Sequence, residues 1–508
     1  MAKFNLLEEP WIPVLREGRV VEVGVAEALL DAHTIARIET PSPLEEAALH
    51  RLLLAVLYRV LSPKGGCDAK DLLAQGRFDS HALEAYLAQV RDRFYLFHDT
   101  APFLQIPDLP QEDLLPWSKL LPQLASGNNP TLFDHSVDDN PPLISYAEAA
   151  RALLVHQAFA PGGLLRRMGV TSAKDAPLAR PAVFLVEGEN LFQTLILNLV
   201  PQEDSGLPIW ERPPLTAKDI HGYATKWPLE GASLVYAWPS RGVLYLDEGN
   251  GVRWMAYGPG VEPLDVAWRD PMVAYRMDQK GNLLTLRLSM ERSFWRDFGA
   301  MLPAAGGVIP SVMEHAIELL DYDTPSLRVL GQVSDQAKIL DIRREVYPFP
   351  QDMFTPEGTV CLLEALKLAE DTAKGLERVA WALARGVLGD RDAKERENFV
   401  NSLPLMRLYW HQLDLDFPKF LDRLGKPDSL DFWRERLGDA ASRAWGETRR
   451  FVGTEGRHLK ALAGADMSFA EVLASLQKAA PSREGGPKDA LTGQPQEGLS
   501  GGANARRR

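Results

Sequence analysis

Along residues 44–61 apolar side chains recur every three or four positions, with Ala48, Leu52, Leu53, Val56 and Leu57 on one face, which predicts an amphipathic helix. Ser42-Pro43-Leu44-Glu45 opens it with a hydroxyl cap, a proline suited to the first turn and a glutamate able to complete a capping box. Ser62-Pro63-Lys64-Gly65-Gly66 ends it. The same spacing predicts helices over about 80–95 and over 145–159, the second stopped by Ala160-Pro161-Gly162-Gly163. Short strand-like runs interrupt this pattern. Trp11-Ile12-Pro13-Val14-Leu15 and Val20-Val21-Glu22-Val23 predict a hairpin around Arg16-Glu17-Gly18-Arg19, with Pro13 suggesting an edge strand because proline cannot donate to a ladder. Runs 182–186, 233–238, 243–247, 252–257 and 283–288 also read as strands, without the regular strand–helix alternation of a doubly wound sheet. Prolines at 102, 107, 110, 116, 122, 130, 141 and 142 break every element between them, and so long an irregular stretch is more often functional or mobile than filler.

After Pro356 only helical spacing remains. Leu363, Leu366, Ala373, Leu376, Ala380, Leu383 and Val387 form one stripe, and further helices are expected over about 396–424, 429–451 and 458–479, with Pro404 interrupting the first of these three. The expectation is an α+β protein: a large mixed α/β N-terminal domain over 1–355, followed by a C-terminal four-helix bundle over 356–480. Residues 481–508, rich in Gly, Pro, Gln, Ser and charge, are expected to be disordered.

A chain of 508 residues with 45% hydrophobic and 25% charged side chains can bury its own core. Its two cysteines, Cys67 and Cys361, exclude a disulfide framework. No apolar run approaches the roughly 18 residues of a membrane span, and the opening Met1-Ala2-Lys3-Phe4-Asn5 lacks a signal-peptide pattern. A cytoplasmic protein without membrane contact is expected. The net charge of −13 opposes long-range attraction of a polyanion. Residues 1–359 hold 32 basic and 47 acidic side chains, so nucleic acid would have to be met by local loops or a basic partner.

Catalytic signatures are missing: there is no Walker loop, Rossmann glycine fingerprint, HExxH, CxxC pair or GxSxG elbow. The ten histidines form no HxH or HxxxH pair. Asp134-His135 could form an acid–base pair but reads better as a solvated loop. Asp138-Asp139 and Asp321-Tyr322-Asp323 could bind a divalent cation but are more often caps or solvated turns, and His411 is more often a core or boundary histidine than a ligand. No catalytic residue, metal or cofactor is expected.

Five segments in order carry a resemblance: Phe4-Asn5-Leu6-Leu7-Glu8-Glu9-Pro10-Trp11-Ile12-Pro13-Val14; Phe94-Tyr95-Leu96-Phe97-His98 with Pro102-Phe103-Leu104-Gln105; Lys119-Leu120-Leu121 with Ser126-Gly127-Asn128-Asn129 and Phe133; Gln157-Ala158-Phe159-Ala160-Pro161-Gly162-Gly163; and Ser334-Asp335-Gln336-Ala337-Lys338-Ile339-Leu340. Together, over roughly residues 4–480, the chain resembles the CasA family, the large subunit of the type I-E CRISPR Cascade surveillance complex. The family is non-catalytic. The resemblance implies a subunit that works with guide RNA and other Cascade subunits, recognises a protospacer-adjacent motif in target double-stranded DNA, starts strand opening for R-loop formation, and recruits a helicase–nuclease. It implies motif contacts at Gln336 with Asp335, and at Gly162 and Gly163. It implies guide-RNA or loop contacts at Asn128, Asn129 and Phe133, with Phe133 on the guide RNA's 5′ handle or on the neighbouring subunit that holds it. Without the resemblance Phe133 reads as a core anchor for a loop.

The residue chemistry suits that task. The minor groove offers a nearly degenerate pattern, which backbone groups and adaptable amides can read. A glutamine side chain offers donor and acceptor on a stem long enough to enter between base pairs, at an unstacking cost of a few kcal/mol. Arg166, Arg167, Lys280 and Lys338 are candidate phosphate contacts by charge. The family also places a lysine in the groove, but none stands near Pro259, leaving Arg253, Arg269 or no residue in its place. Read without the resemblance, Gln336 is an exposed helix-start residue behind the caps Ser334 and Asp335, Gly162-Gly163 is a helix stop and Arg166-Arg167 a solvated turn. Two rival functions follow: an enzyme with a site assembled in the α/β region, or a scaffold that touches only protein.

Overall fold

The structure, a computed structural model, describes residues 2–61, 66–121, 140–320, 325–335, 338–389, 392–453 and 455–478. The tail expected to be disordered lies outside these residues, as do Asp134, His135, Asp138, Asp139, Asp321, Tyr322 and Asp323.

The first hairpin forms as predicted, with Ile12–Arg16 antiparallel to Arg19–Val23. Glu17 (φ 50°) and Gly18 (φ 74°) make a two-residue turn whose twist matches the strands. Pro13 is not on an edge, because Arg37–Ile38 pairs on the other side of its strand. That third strand is two residues long, and just beyond its ladder the Pro13 carbonyl accepts from Glu39 N (2.9 Å), so only a donor at the ladder's end is lost. The helix Pro43–Leu61 follows, with Ser42 Oγ accepting from Glu45 N. The Glu45 carboxylate turns to the Thr40 hydroxyl (2.7 Å), leaving the capping box half made.

Two expectations are corrected. The helix expected over 80–95 is Ser80–Val90, and Tyr95–Phe97 is a strand paired with Lys3–Asn5, because fully buried Phe94 and Leu96 are drawn into the core beside the N-terminal strand. The run 233–238 holds a helical turn, Ala232–Val235, with Ser233 Oγ bonded to Ala55 O (2.8 Å). It is buried on every side, so no alternation distinguishes helix from strand.

The mixed part contains several two- and three-stranded sheets. The longest strands, Ser326–Asp335 and Lys338–Pro348, form an antiparallel hairpin flanked by Val183–Glu187. That flank pairs only with 326–330, so the hairpin runs on beyond the sheet. A buried charge cluster grips its base. The Glu46 carboxylate, 1% exposed, accepts from Arg328 Nη1 (2.6 Å) and Arg344 Nε (2.7 Å), while Arg328 also pairs with Glu187.

The C-terminal part is a helical bundle, as expected: Pro356–Leu388, then Ala393–Ser402 and Leu405–Leu421 divided at Pro404, then Ser429–Val452 and Gly456–Lys478. His411 is exposed, not a core or boundary residue, because it lies on the outer face of its helix. The bundle seats on an aromatic junction. Trp295 stacks on Phe417 (4.4 Å between centroids), meets Trp433 edge-on, and donates from Nε1 to Asp414 (2.8 Å). Arg296 lies 3.6 Å over Trp410 and pairs with Glu370.

Candidate nucleic-acid interface

The glycine turn is built from the helix Tyr146–Phe159, which starts at a capping box between Ser145 and Glu148. Its last turn points polar groups inward. Gln157 donates to Leu104 O and Arg241 O and accepts from Arg241 N (2.9 Å). The buried Arg241 guanidinium donates to Ser240 O and to Pro161 O (2.8 Å), immediately before the glycine pair. His156 lies between Leu120 O and the Tyr257 hydroxyl, and burial, aided by the positive charge of Arg241, pushes its pKa down to about 3. The Arg241 cation therefore supports this turn from below through Pro161 O.

Helix termination falls at Ala160-Pro161, one residue ahead of the glycines. Gly162 N donates to Asp175 Oδ1 (2.5 Å). A Cβ there would sit 2.8 Å from Asp175 N and 3.0 Å from Ala173 O, so the local chain crossing itself requires glycine. Gly163 is half-buried and opens the strand Gly163–Arg167, which returns through Met168 and Gly169 as Val170–Ala173. Arg166 and Arg167 thus stand on a strand and not in a solvated turn. Arg167 donates to Asp113 O (2.9 Å), and both arginines line a groove of about 780 Å³ with Lys218, His221, Glu112 and Asp113.

The helix start expected ahead of Gln336 is corrected. Ser334 and Asp335 end one strand, Lys338 begins the next, and Asp335 pairs across to Lys338. The caps are overridden because ten residues of ladder hold the chain extended. Gln336 itself lies outside the described residues, as do Asn128, Asn129 and Phe133. The strand end beside Gln336 is joined to the glycine turn by a short relay. Ser334 Oγ accepts from Arg180 Nη1 (3.3 Å), Arg180 Nε donates to Asp175 Oδ2 (3.1 Å), and Asp175 Oδ1 accepts from Gly162 N. One layer deeper, Gln332 donates to Phe159 O (2.8 Å) and Ala179 O (3.0 Å). The two sequence segments, 170 residues apart, meet in space.

The remaining candidates are less gathered. Asp335, Lys338 and Arg166 are exposed. Lys280 is exposed on the turn that Asp278 closes by accepting from the amides of Lys280 and Asn282, and no hydrogen bond or ion pair among the described residues joins it to the glycine turn or the hairpin. Arg253 is tied to Glu248 and to Pro141 O, Arg269 is exposed, and Pro259 is buried at a strand end. Sequence reasoning missed Arg180, Asp175, Gln332 and Arg241, whose partners are all distant in the chain or hidden in the backbone. Among the described residues no three His, Cys, Asp or Glu side chains gather as a metal site, and no helix is long and apolar enough to cross a membrane.

The sequence model of the CRISPR-associated protein Cse1 family matches residues 5–444. A CRISPR-associated CasA/Cse1 protein of Thermus thermophilus is 60% identical over 493 residues, which is 94% of this chain and 98% of that protein. The solved structure of Thermus thermophilus CasA (Cse1) superposes with a TM-score of 0.87 at 57% identity, over 94% of this chain and 100% of that one. The fold also recurs at 21% identity, with a TM-score of 0.72 over 94% of this chain and 100% of the other, in a structure of a CRISPR RNA-guided surveillance complex. The mixed domain, the helical bundle and these likenesses agree, and the chain belongs to the CRISPR-associated Cse1 (CasA) family.

Proposed function

We propose that this chain is the motif-reading subunit of a CRISPR RNA-guided surveillance complex. In that reading it works with guide RNA and the other subunits, inspects duplex DNA for a short motif, starts strand separation there, and recruits a helicase–nuclease. The observation that carries it is the relay Gly162–Asp175–Arg180–Ser334, which brings the bare turn and the end of the long hairpin to one place. Gln336 follows Asp335 in the chain, and in this reading its amide and Gly163 meet the same few base pairs. Asp335 shares the motif contact, and Lys338 and Arg166 flank it as phosphate contacts. Arg167, whose guanidinium already serves Asp113 O, holds the strand in place. Two structures that share the fold, of a CRISPR RNA-guided surveillance complex and of a pre-nicking CRISPR RNA-guided surveillance complex, support a place in such an assembly.

Strand exchange into a guide–target hybrid is nearly balanced, so a local push of a few kcal/mol decides whether it begins. The test is reconstitution with guide RNA and partner subunits, followed by duplex opening on targets that differ only at the motif. Gln336→Ala should slow motif-dependent opening about 10- to 100-fold while complex assembly is unchanged, the range expected when a wedge of a few kcal/mol is removed. Gly163→Ala should alter the ratio between motifs. Opening unchanged in both variants would leave the scaffold reading in possession.

A further inference from the structure

Beside the glycine turn two lysines converge on one carboxylate. Lys226 Nζ lies 2.5 Å from Glu262 Oε2 and Lys174 Nζ 3.8 Å from Glu262 Oε1. The lysine side chains are 60% (Lys174) and 50% (Lys226) exposed, whereas Glu262 is only 17% exposed. Lys226 and Glu262 are direct partners in the parallel strand pair Lys226–Pro228 and Glu262–Leu264, which fixes their spacing. Lys174 stands between Ala173 and Asp175, the two residues against which Gly162 packs. Tyr223 closes the group by donating from its hydroxyl to Ser172 O (3.1 Å). Behind it lies Arg241, for which the described residues provide no carboxylate.

Two ammoniums therefore share one carboxylate, with the neighbouring Asp175 already engaged by Arg180 and Gly162 N, in a chain that is acidic overall. An exposed lysine–carboxylate pair holds weakly, so either ammonium is free to exchange its partner for a phosphate. Two ammoniums held over a shared, half-sunken carboxylate present charge on flexible stems, which suits point contact with phosphodiester oxygens and not the reading of base edges.

We propose that Lys174 and Lys226, held over Glu262 beside the glycine turn, form a clamp for backbone phosphates of the bound duplex. This rests on the reading of the glycine turn as a DNA contact and adds the phosphate site beside it. The test uses the reconstituted complex with guide RNA. Lys174→Gln, Lys226→Gln, the double variant and Glu262→Gln are compared in equilibrium binding to duplexes with matching and altered motifs, across a salt series. Each lysine variant should lower affinity about tenfold near 0.1 M salt and reduce the log–log salt slope by about 0.9, equally for every motif. Glu262→Gln should move affinity the other way by unmasking the pair.

A double variant with unchanged affinity and slope overturns the clamp. So does a loss confined to one motif, which would mark base reading. If the unaltered complex binds duplex without motif preference, the function proposed above fails, while the slope still decides the clamp. A complex that binds no duplex overturns both.

Discussion

Gln332 looks in sequence like ordinary strand polarity, yet it is 2% exposed and spends both amide protons on the carbonyls of Phe159 and Ala179. Replacing it by leucine strands two buried acceptors, each costing about 1–3 kcal/mol. Gln332→Leu should lower stability by roughly 2–4 kcal/mol, read as a shift in the urea midpoint. His156 supplies a second residue-scale test. Its folded pKa of about 3 lies below the ordinary 6.5, so on acidification the unfolded chain takes up a proton that the folded one refuses. The contribution is negligible above the ordinary value and grows against folding as pH falls toward 3. Between pH 7.5 and 5 it should remove about 2 kcal/mol of stability. The difference between the two urea midpoints should shrink in His156→Gln.

Among elements, the long hairpin carries one side of the candidate site, and it is the element the sequence hid best. Its strands carry Arg328, Arg343, Arg344 and Glu345, which break hydrophobic alternation, and its end carries Ser334-Asp335, which mimic a helix cap. Those charges are satisfied from far away: Glu46, on the helix Pro43–Leu61, meets Arg328 and Arg344 some 280 to 300 residues along the chain. Removing one partner of a buried cluster leaves the others uncompensated, so Glu46→Ala should cost about 3–5 kcal/mol. Hydrogen exchange should show the strand Ser326–Asp335 loosening first. By contrast, the hairpin at 12–23, the helix behind Ser42 and the helix that Ser145 caps were legible because cap, turn and period agreed locally.

At the scale of the whole molecule, the bundle and the mixed domain share one hydrophobic core through Trp295. Trp295 N donates to the Tyr347 hydroxyl at the base of the long hairpin (3.2 Å), while its ring stacks on Phe417 in the bundle. Bundle and hairpin are thus mechanically continuous. Trp295→Ala should cost about 3–5 kcal/mol, and thermal unfolding should separate into two transitions as the seat is lost.

The amino-acid sequence by itself determined the class of the fold, the helical C-terminal part and the segments that betray the family, because these rest on local periodicity, capping and short motifs. Tertiary structure alone decided that Ser334-Asp335 extend a strand and that Arg180 joins them to the glycine turn. It also decided that Lys174 and Lys226 share Glu262. Each of those outcomes depends on partners far along the chain, and a pattern read over ten or twenty residues holds no record of them.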